Sequence, residues 1–476
     1  MNALFSKFES IYPHLPVWAQ NSAISLYGLG YRRERLAGGF PQFVEEFQQR
    51  DRWTVEQMND YQNSSLRAML LHAFDSVPYY SRQWTAASIR RNDLLQVTTG
   101  DLAILPITKK ADVRANPDDF VAKGIPSGRL HRYNTSGSTG TPVTCICTSD
   151  AHRKFIAARE VRSFGWAGTS VQKRRSMLGG RKVVPLGDSP PPYHRTNWAE
   201  DQIYFSAHHI SPRNVRHYAD ALNRFQPKVM TGYAHSHYLL ARLLLDQGLR
   251  IEFEPEALVL SSEKLTSEMK SVLNEAFHAR AYEEYGSVEN CVLATECSSG
   301  RLHISSDFGI VEVVDDAGNP VPPGTLGRLV CTGLLNPAQP LIRYEVGDRV
   351  ALDAELCPCG RNHLPVLQEV VGRLEDVLIA PDGRRSACSH RLFHGLSHVV
   401  EAQLVQERLD LIRVRVVPSK EYAQPDSDLI RQRIRDHLGN VEVIIETTSA
   451  LPRTERGKFR SVISLISEAS PASIAT

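Results

Sequence analysis

Apolar residues recur at three- and four-residue spacing through the first 130 positions, most regularly from Val55 to Ser76. That period predicts a mostly helical N-terminal stretch, interrupted at Pro78 and at the turn-prone Asn116-Pro117-Asp118 segment. After Arg132 the pattern changes. Short apolar runs at Val183–Pro185, Lys228–Thr231 and Ala257–Ser261 read as strands. The segments Asn214–Phe225 and His235–Gln247 between them read as helices, and such alternation predicts α/β layers.

From Gly309 onward strands dominate, at Ile310–Val314, Gly327–Thr332 and Arg343–Ala351, with a turn at Asp316–Asn319. The portion beginning near Gly372 carries Glu401–Val405, the alternating Leu411–Val417, a helix over Asp428–Leu438, and Val441–Glu446. This β–β–α–β order predicts a small separate α+β domain. The expected fold class is therefore α/β and α+β. A large N-terminal domain of layered sheets and helices would span residues 1–371, and a small C-terminal α+β domain residues 372–476.

The 476 residues fit two to four domains at about 150 residues each. A hydrophobic share of 42% and a charged share of 23% are ordinary for a globular protein. The 55 basic and 53 acidic side chains leave a net charge of +2, so no long-range field draws nucleic acid or an anionic membrane. Met1–Gln20 mixes Lys7, Glu9, Pro13 and Pro16 with apolar residues, which is not a secretory pattern. Leu4, Phe5, Phe8 and Ile11 read as a stripe buried in the protein's own core. No apolar run approaches the ~20 residues of a spanning helix, and a cytoplasmic chain is expected. Its eight cysteines then read as reduced thiols or metal ligands rather than disulfides.

The strongest local feature is Tyr133-Asn134-Thr135-Ser136-Gly137-Ser138-Thr139-Gly140-Thr141-Pro142. Glycines let successive backbone N–H groups converge on an anion, and Thr135, Ser136, Ser138, Thr139 and Thr141 add hydroxyl donors. A Walker A loop needs Gly-Lys-Ser/Thr at its end, whereas Gly140 is followed by Thr-Pro, which disfavours an ordinary P-loop ATPase. A flexible linker shares this composition. The placement between Tyr133 and the apolar Val143–Ile146 run argues for strand–loop–strand instead.

The loop resembles the phosphate loop of the adenylate-forming superfamily, which includes acyl-CoA synthetases and adenylation domains. Four later stretches match that superfamily in order: Glu284-Tyr285-Gly286-Ser287-Val288-Glu289, Ile342-Arg343-Tyr344-Glu345-Val346-Gly347-Asp348-Arg349, Gly372-Arg373-Leu374-Glu375-Asp376, and Leu451-Pro452-Arg453-Thr454-Glu455-Arg456-Gly457-Lys458. A narrower resemblance, to phenylacetate–CoA ligases and CapK proteins, rests on Leu105-Pro106-Ile107-Thr108-Lys109, Gly232-Tyr233, Pro340–Tyr344 and Cys357-Pro358-Cys359-Gly360-Arg361. Pro190-Pro191-Pro192-Tyr193 and Phe205–Ser211 carry the CapK-like part.

The resemblance implies an AMP-forming acid–thiol ligase that activates an aryl or acyl carboxylic acid with ATP and Mg²⁺ and passes it to CoA. A carrier protein, an amine or a sugar is the alternative acceptor, and a non-catalytic binding protein is the rival from another class. By the same resemblance Thr135, Ser136, Gly137, Ser138, Thr139, Gly140 and Thr141 hold the β- and γ-phosphates. Glu289 binds Mg²⁺, Asp348 the ribose hydroxyls, and Tyr285 and Gly286 flank the adenine. Ser262, Glu263, Glu284, Ser287 and Arg349 complete the nucleotide set. Arg373 lies by the ribose or phosphate at the domain junction, and Lys458 bridges the ribose and the reacting carboxylate. The family hinge has Asp where this chain has Glu375. The acyl pocket is expected between Lys228–Leu245, Ser261–Glu263 and Tyr285, with His208, His209, His235 and His237 as unusual polar residues near it.

Cys297 and His303 are six apart, and Cys357-x-Cys359 follows about 55 residues later. Three thiolates and an imidazole would make a closed tetrahedral structural zinc site, with His363 or Cys291 as substitute ligands. Reduced cysteines packed under loops are the other reading, and both stay open at this point.

Overall fold

The computed structural model describes residues 11–134, 143–187, 189–373, 378–383, 385–386, 392–393, 396, 398–454 and 457–466. The N-terminal stretch forms helices α1 (Val17–Leu36), α2 (Phe40–Arg50), α3 (Val55–Ser76) and α4 (Pro78–Ala86). The start of α3 is set by a reciprocal cap. Thr54 Oγ1 accepts from Gln57 N at 3.3 Å, and Gln57 Oε1 accepts from Thr54 N at 3.0 Å. Its buried face, Met58, Leu66, Met69, Leu70 and Ala73, follows the helical period. A short helix, α5 (Lys110–Ala115), follows.

Strands β1 (Leu130–Asn134) and β2 (Thr144–Thr148) pair antiparallel on either side of the hydroxyl-rich loop, which lies outside the described residues. Next come α6 (Ser149–Arg159) and strands β3 (Arg175–Gly179), β4 (His194–Asn197) and β5 (Gln202–Ser206). They are followed by α7 (Val215–Phe225), β6 (Val229–Tyr233), α8 (Ala234–Asp246), β7 (Ala257–Ser261), α9 (Ser267–Phe277) and β8 (Ala281–Gly286). Then β9 (Leu293–Glu296), β10 (Leu302–Ile304), β11 (Gly309–Val314), β12 (Gly327–Gly333), β13 (Tyr344–Leu352) and β14 (Val366–Arg373) complete a twelve-stranded sheet. Its order is β11-β12-β13-β14-β10-β9-β8-β7-β6-β3-β5-β4. The run β5-β3-β6-β7-β8 is parallel, and β9 joins β8 antiparallel.

After the two-stranded pair β15 (Leu378–Ile379) and β16 (Arg385–Ser386), a separate four-stranded sheet forms. It is built from β17 (Val399–Arg408), β18 (Leu411–Pro418), β19 (Glu442–Thr447) and β20 (Val462–Ser464), in the order β19-β18-β17-β20. Helix α10 (Gln424–Leu438) covers it, with Ile430, Ile434 and Leu438 in its core.

Two sequence readings need correction. Val183–Pro185 is not a strand; Val183 and Val184 are buried in an irregular segment against Tyr204. The strand of this region is β3, which begins Arg175-Ser176 and so lacks an apolar start. Arg175 can be buried there because its guanidinium donates to Val171 O at 2.7 Å and Gln202 Oε1 at 3.0 Å. Ile11, placed in a buried stripe by the sequence, is 54% exposed, and Leu4, Phe5 and Phe8 lie outside the described residues. Among the described residues no helix is long and apolar enough to cross a membrane.

Under the sheet a buried ionic cluster ties distant segments together. Arg162 donates to Asp51 Oδ1 at 2.9 Å and to Asp307 Oδ2 at 3.1 Å, and Trp166 Nε1 donates to Asp51 Oδ2 at 2.7 Å. Asp307→Ala leaves the fully buried Arg162 short of a partner. We expect it to cost about 3–5 kcal/mol of unfolding free energy in urea titrations; a loss below about 1 kcal/mol would contradict this account.

Candidate active site

The parallel strands β6, β7 and β8 end side by side at Tyr233, Ser261 and Gly286. Ligand sites in such sheets lie beyond the carboxyl ends of the strands, where the strand pattern switches. Here the loops leaving these ends form one wall of a cavity of about 480 Å³. The opposite walls come from Lys110, from Val346 and Asp348 on β13, from Glu369–Gly372 on β14, from Val399–Ala402 on β17, and from Thr454 and Lys458–Ser461. Of the residues expected from sequence, the cavity collects Ser262, Glu263, Glu284, Tyr285, Gly286, Ser287, Glu289, Asp348 and Lys458.

Tyr285 Oη donates to Asp348 Oδ2 at 2.6 Å, and burial followed by the Asp348 charge pushes the phenol well above its usual value. Glu284 pairs with Arg159 at 3.3 Å, and Ser287 Oγ lies 3.7 Å from Cys291 Sγ. Ser262 takes a φ of +72°, an αL conformation uncommon outside glycine, at the turn leaving β7.

Glu289 is buried beside Lys110, whose ammonium lies 2.9 Å from Oε1, and Tyr344 Oη donates to the same oxygen at 3.0 Å. Burial alone would raise this carboxyl, but the Lys110 charge and the hydrogen bonds outweigh it and hold the group below its ordinary range. This bears on the magnesium expectation. Lys110 and Tyr344 both address Oε1. Magnesium is commonly held by one or two carboxylates together with waters and substrate phosphates, so a single buried carboxylate at the cavity fits such an ion.

Lys458 enters from the other side, its ammonium 5.7 Å from the centre of the Tyr233 ring. Thr454 Oγ1 accepts from Lys458 N at 3.0 Å. Gly457 has a φ of +75°, and a Cβ there would lie 3.1 Å from His208 Nε2 and 3.3 Å from Ala207 Cβ. Glycine is therefore required by both conformation and space.

Other expectations are placed differently. Arg349 does not line the cavity; its guanidinium donates to Asp316 Oδ1 at 2.8 Å, because it alternates with Asp348 along β13. Arg373 pairs with Asp348 in the β13–β14 register, and its side chain lies outside the described residues, as do Thr135–Thr141 and Glu375. Glu263 has both oxygens occupied by protein N–H groups, from His235 and Phe459, each at 2.9 Å. Of the four histidines only His235 lines the cavity. His237 is buried with Nδ1 on Tyr233 O at 2.8 Å, His209 lies 2.7 Å from Ser206 Oγ, and His208 abuts Gly457. Lys110, Arg159 and Glu401 are not among the site residues expected from sequence. Only Lys110 left a signal, as the second lysine after Leu105-Pro106.

The sulfur cluster assembles as the spacing predicts. Ligand atoms of Cys297, His303, Cys357 and Cys359 all lie within 4.8 Å of one another, while His363 and Cys291 stand apart from the group. The Cys297–Cys357 sulfurs are 3.7 Å apart, and Cys359 Sγ is 3.3 Å from His303 Nε2. A tetrahedron with zinc–sulfur bonds of about 2.3 Å and zinc–nitrogen bonds of about 2.0 Å has edges of roughly 3.5–3.8 Å. His303 Nδ1 lies 2.9 Å from Leu364 O, which leaves Nε2 as the ligand atom. The donor set fits zinc.

Residues 385–465 match the family model of the CapK C-terminal domain. Protein CapK of Staphylococcus aureus is 26% identical over 468 residues, covering 96% of this chain and 99% of that protein. The phenylacetate–coenzyme A ligase of Thermus thermophilus is 26% identical over 444 residues, covering 86% and 97%. The chain is thus similar over most of its length to a CapK protein and to a phenylacetate–CoA ligase. A 2-hydroxyisobutyryl-CoA ligase crystallised with an acyl-adenylate has the same fold, with a TM-score of 0.68 at 22% identity, covering 84% of this chain and 88% of that one.

The Glu289–Lys110 pair generates a pH-dependent prediction. The folded-state value of Glu289 lies below the ordinary 4.5, so the pair adds stability above pH 4.5 that is lost as pH falls through the folded value. Lys110→Met removes the cation and leaves burial to dominate. The Tm difference between wild type and Lys110→Met should be largest near pH 7 and shrink towards about pH 4. A difference independent of pH would show that the pair carries no such linkage.

Proposed function

We propose that this protein is an ATP-dependent, AMP-forming acid–CoA ligase acting on an aryl or acyl carboxylic acid. The observation that carries the reading is the convergence of Asp348, Tyr285 and Lys458 on one cavity at the carboxyl ends of β6–β8, from three segments well separated in the chain. Similarity to phenylacetate–CoA ligases supports CoA as acceptor.

In the first half-reaction a carboxylate oxygen of the acid attacks the α-phosphorus of ATP. The bond from that phosphorus to the bridging oxygen breaks, and pyrophosphate leaves with the electron pair. Asp348 holds the ribose hydroxyls, its own position fixed by the Tyr285 phenol. Lys458 places a compact positive charge where the transferring phosphoryl group gathers negative charge. Thr135–Thr141 hold the leaving phosphates through backbone N–H groups and hydroxyls. In the second half-reaction the CoA sulfur attacks the acyl carbon and AMP departs. We assign the hinge between 1–371 and 372–476 to the segment around Arg373–Asp376, which follows the end of β14 and precedes β15. Glu289 anchors Lys110 and Tyr344 under the cavity. It would also hold magnesium, which when bound neutralises phosphate oxygens.

Zinc, when bound by Cys297, His303, Cys357 and Cys359, supplies four bonds that cross-link β9–β10 to the 357–359 turn. All four positions are filled by protein, so its role is structural.

Two measurements test this. Acid-dependent ATP–pyrophosphate exchange across a panel of aryl and acyl acids should single out one class, and Lys458→Ala should lower it by at least about 100-fold. CoA should then convert the adenylate to a thioester; transfer only to an amine or carrier would redirect the acceptor assignment. Absence of ATP binding by folded protein would favour a non-catalytic role. Elemental analysis should find about one zinc per chain, lost in Cys357→Ser together with a lower Tm. A metal-free wild type of the same stability would leave the cysteines as packed thiols.

A further inference from the structure

Three groups at the mouth of the cavity have chemistry that the adenylation scheme does not use: Glu263, His235 and Glu401. Glu263 lies just past the end of β7. Its Oε2 accepts from the backbone N of His235, at the start of α8, and its Oε1 accepts from the backbone N of Phe459, each at 2.9 Å. One carboxylate therefore joins the large sheet, the first turn of α8 and the peptide immediately after Lys458.

The His235 ring lies flat on Phe459, with centroids 4.1 Å apart and planes 18° from parallel. Its Nε2 is 2.6 Å from Glu401 Oε1 on β17, and the same oxygen takes a bond from Arg453. Arg453 in turn lies over the Phe459 ring at 4.8 Å. Beneath these contacts Val400 of β17 packs in the apolar cluster that holds Leu239 and Leu265 of the large sheet's helices and loops.

Lys458 lies between Arg453 and Phe459, which form an isolated bridge ahead of β20. A misplacement of about 1 Å at a reacting centre can cost about 100-fold in rate. Acceptors that reach the neighbouring peptide N–H, and a ring that stacks on the next side chain, constrain where this residue sits.

We propose that Glu263 and His235 are positioning residues for Lys458, forming a clamp that seats the lysine loop on the large sheet. The proposal rests on the adenylation reading for its catalytic consequence, but the seating itself is a physical claim about this structure. Glu263 holds the loop through the Phe459 peptide and His235 holds it through stacking and through Glu401. Because the Glu263–Phe459 and His235–Glu401 bonds run from the large sheet and α8 to the C-terminal segment, both must open whenever Lys458 leaves the cavity.

The test is amide hydrogen exchange by mass spectrometry on peptides containing Phe459, in wild type, Glu263→Ala and His235→Ala, without substrate. Exchange at Phe459 should accelerate by about tenfold or more in Glu263→Ala, with a smaller rise in His235→Ala, while peptides from α3 stay unchanged. Exchange equal to wild type in both variants would overturn the clamp, and so would acceleration spread evenly over the chain, the signature of general destabilisation. In pyrophosphate exchange with the acid found by the panel, Glu263→Ala should lose about 20-fold or more in kcat with the KM for ATP within about threefold. A rise in KM at unchanged kcat would instead make Glu263 a nucleotide ligand and overturn the assignment. An inactive wild type would sink the adenylation reading alone, and hydrogen exchange would still decide the clamp.

Discussion

A carboxylate buried in an apolar interior has to find a cation and hydrogen-bond donors or give up its charge, and the cavity is organised around one that found them. Glu289, on the turn after β8, takes Lys110 from the start of α5 and the Tyr344 hydroxyl from the start of β13. The segment before Lys110 is stitched to the same strand. Thr108 N donates to Arg343 O, Glu345 N donates to Thr108 O, and Thr108 Oγ1 donates to Ile342 O. Arg343, at a φ of +43°, is held by Glu312 and by Leu105 O. Three stretches separated by 55 to 234 residues thus share one buried polar network. Asp348, four residues beyond Tyr344 on β13, is placed by it.

The two sides of the cavity differ in what holds them. The floor rests on buried, charge-assisted contacts whose loss leaves uncompensated charge, so it is stiff. The Lys458 side is seated by peptide N–H bonds, one ring stack and a partly buried His–Glu–Arg group. Ordinary hydrogen bonds of that kind contribute about 1 kcal/mol each, because water replaces them when they break. A stiff floor facing a lysine on a releasable mount is the arrangement that the two half-reactions proposed above would need.

The Cys297–His303–Cys357–Cys359 group lies where β9–β10 meets the 357–359 turn, beside Trp166, whose indole N–H reaches the Asp51–Arg162–Asp307 group. The ionic cluster and the sulfur cluster are thus joined through one aromatic side chain. Stability in this region is shared between them.

Much of this was legible in the residues. Helical period located α3, short apolar runs located β6 and β7, and alternation located β18, because burial on one face imposes a period that survives in sequence. Ordered motifs located Asp348, Lys458 and the cavity-lining turn after β8, and cysteine spacing located the metal-ligand set. What sequence could not decide was which side chain answers which. Arg349 sits next to Asp348 in sequence but on the other face of β13, and only strand register separates them. Glu263 lines the cavity, and that its oxygens also accept from two peptide N–H groups, one of them 196 residues away, is not legible in sequence. Nor is the Glu401 carboxylate, 166 residues on, that meets the ring nitrogen of the cavity residue His235. Chemistry that depends on a residue's own type and its near neighbours is written in the chain; chemistry that depends on which distant partner satisfies a buried charge is decided only when the two sheets close on each other.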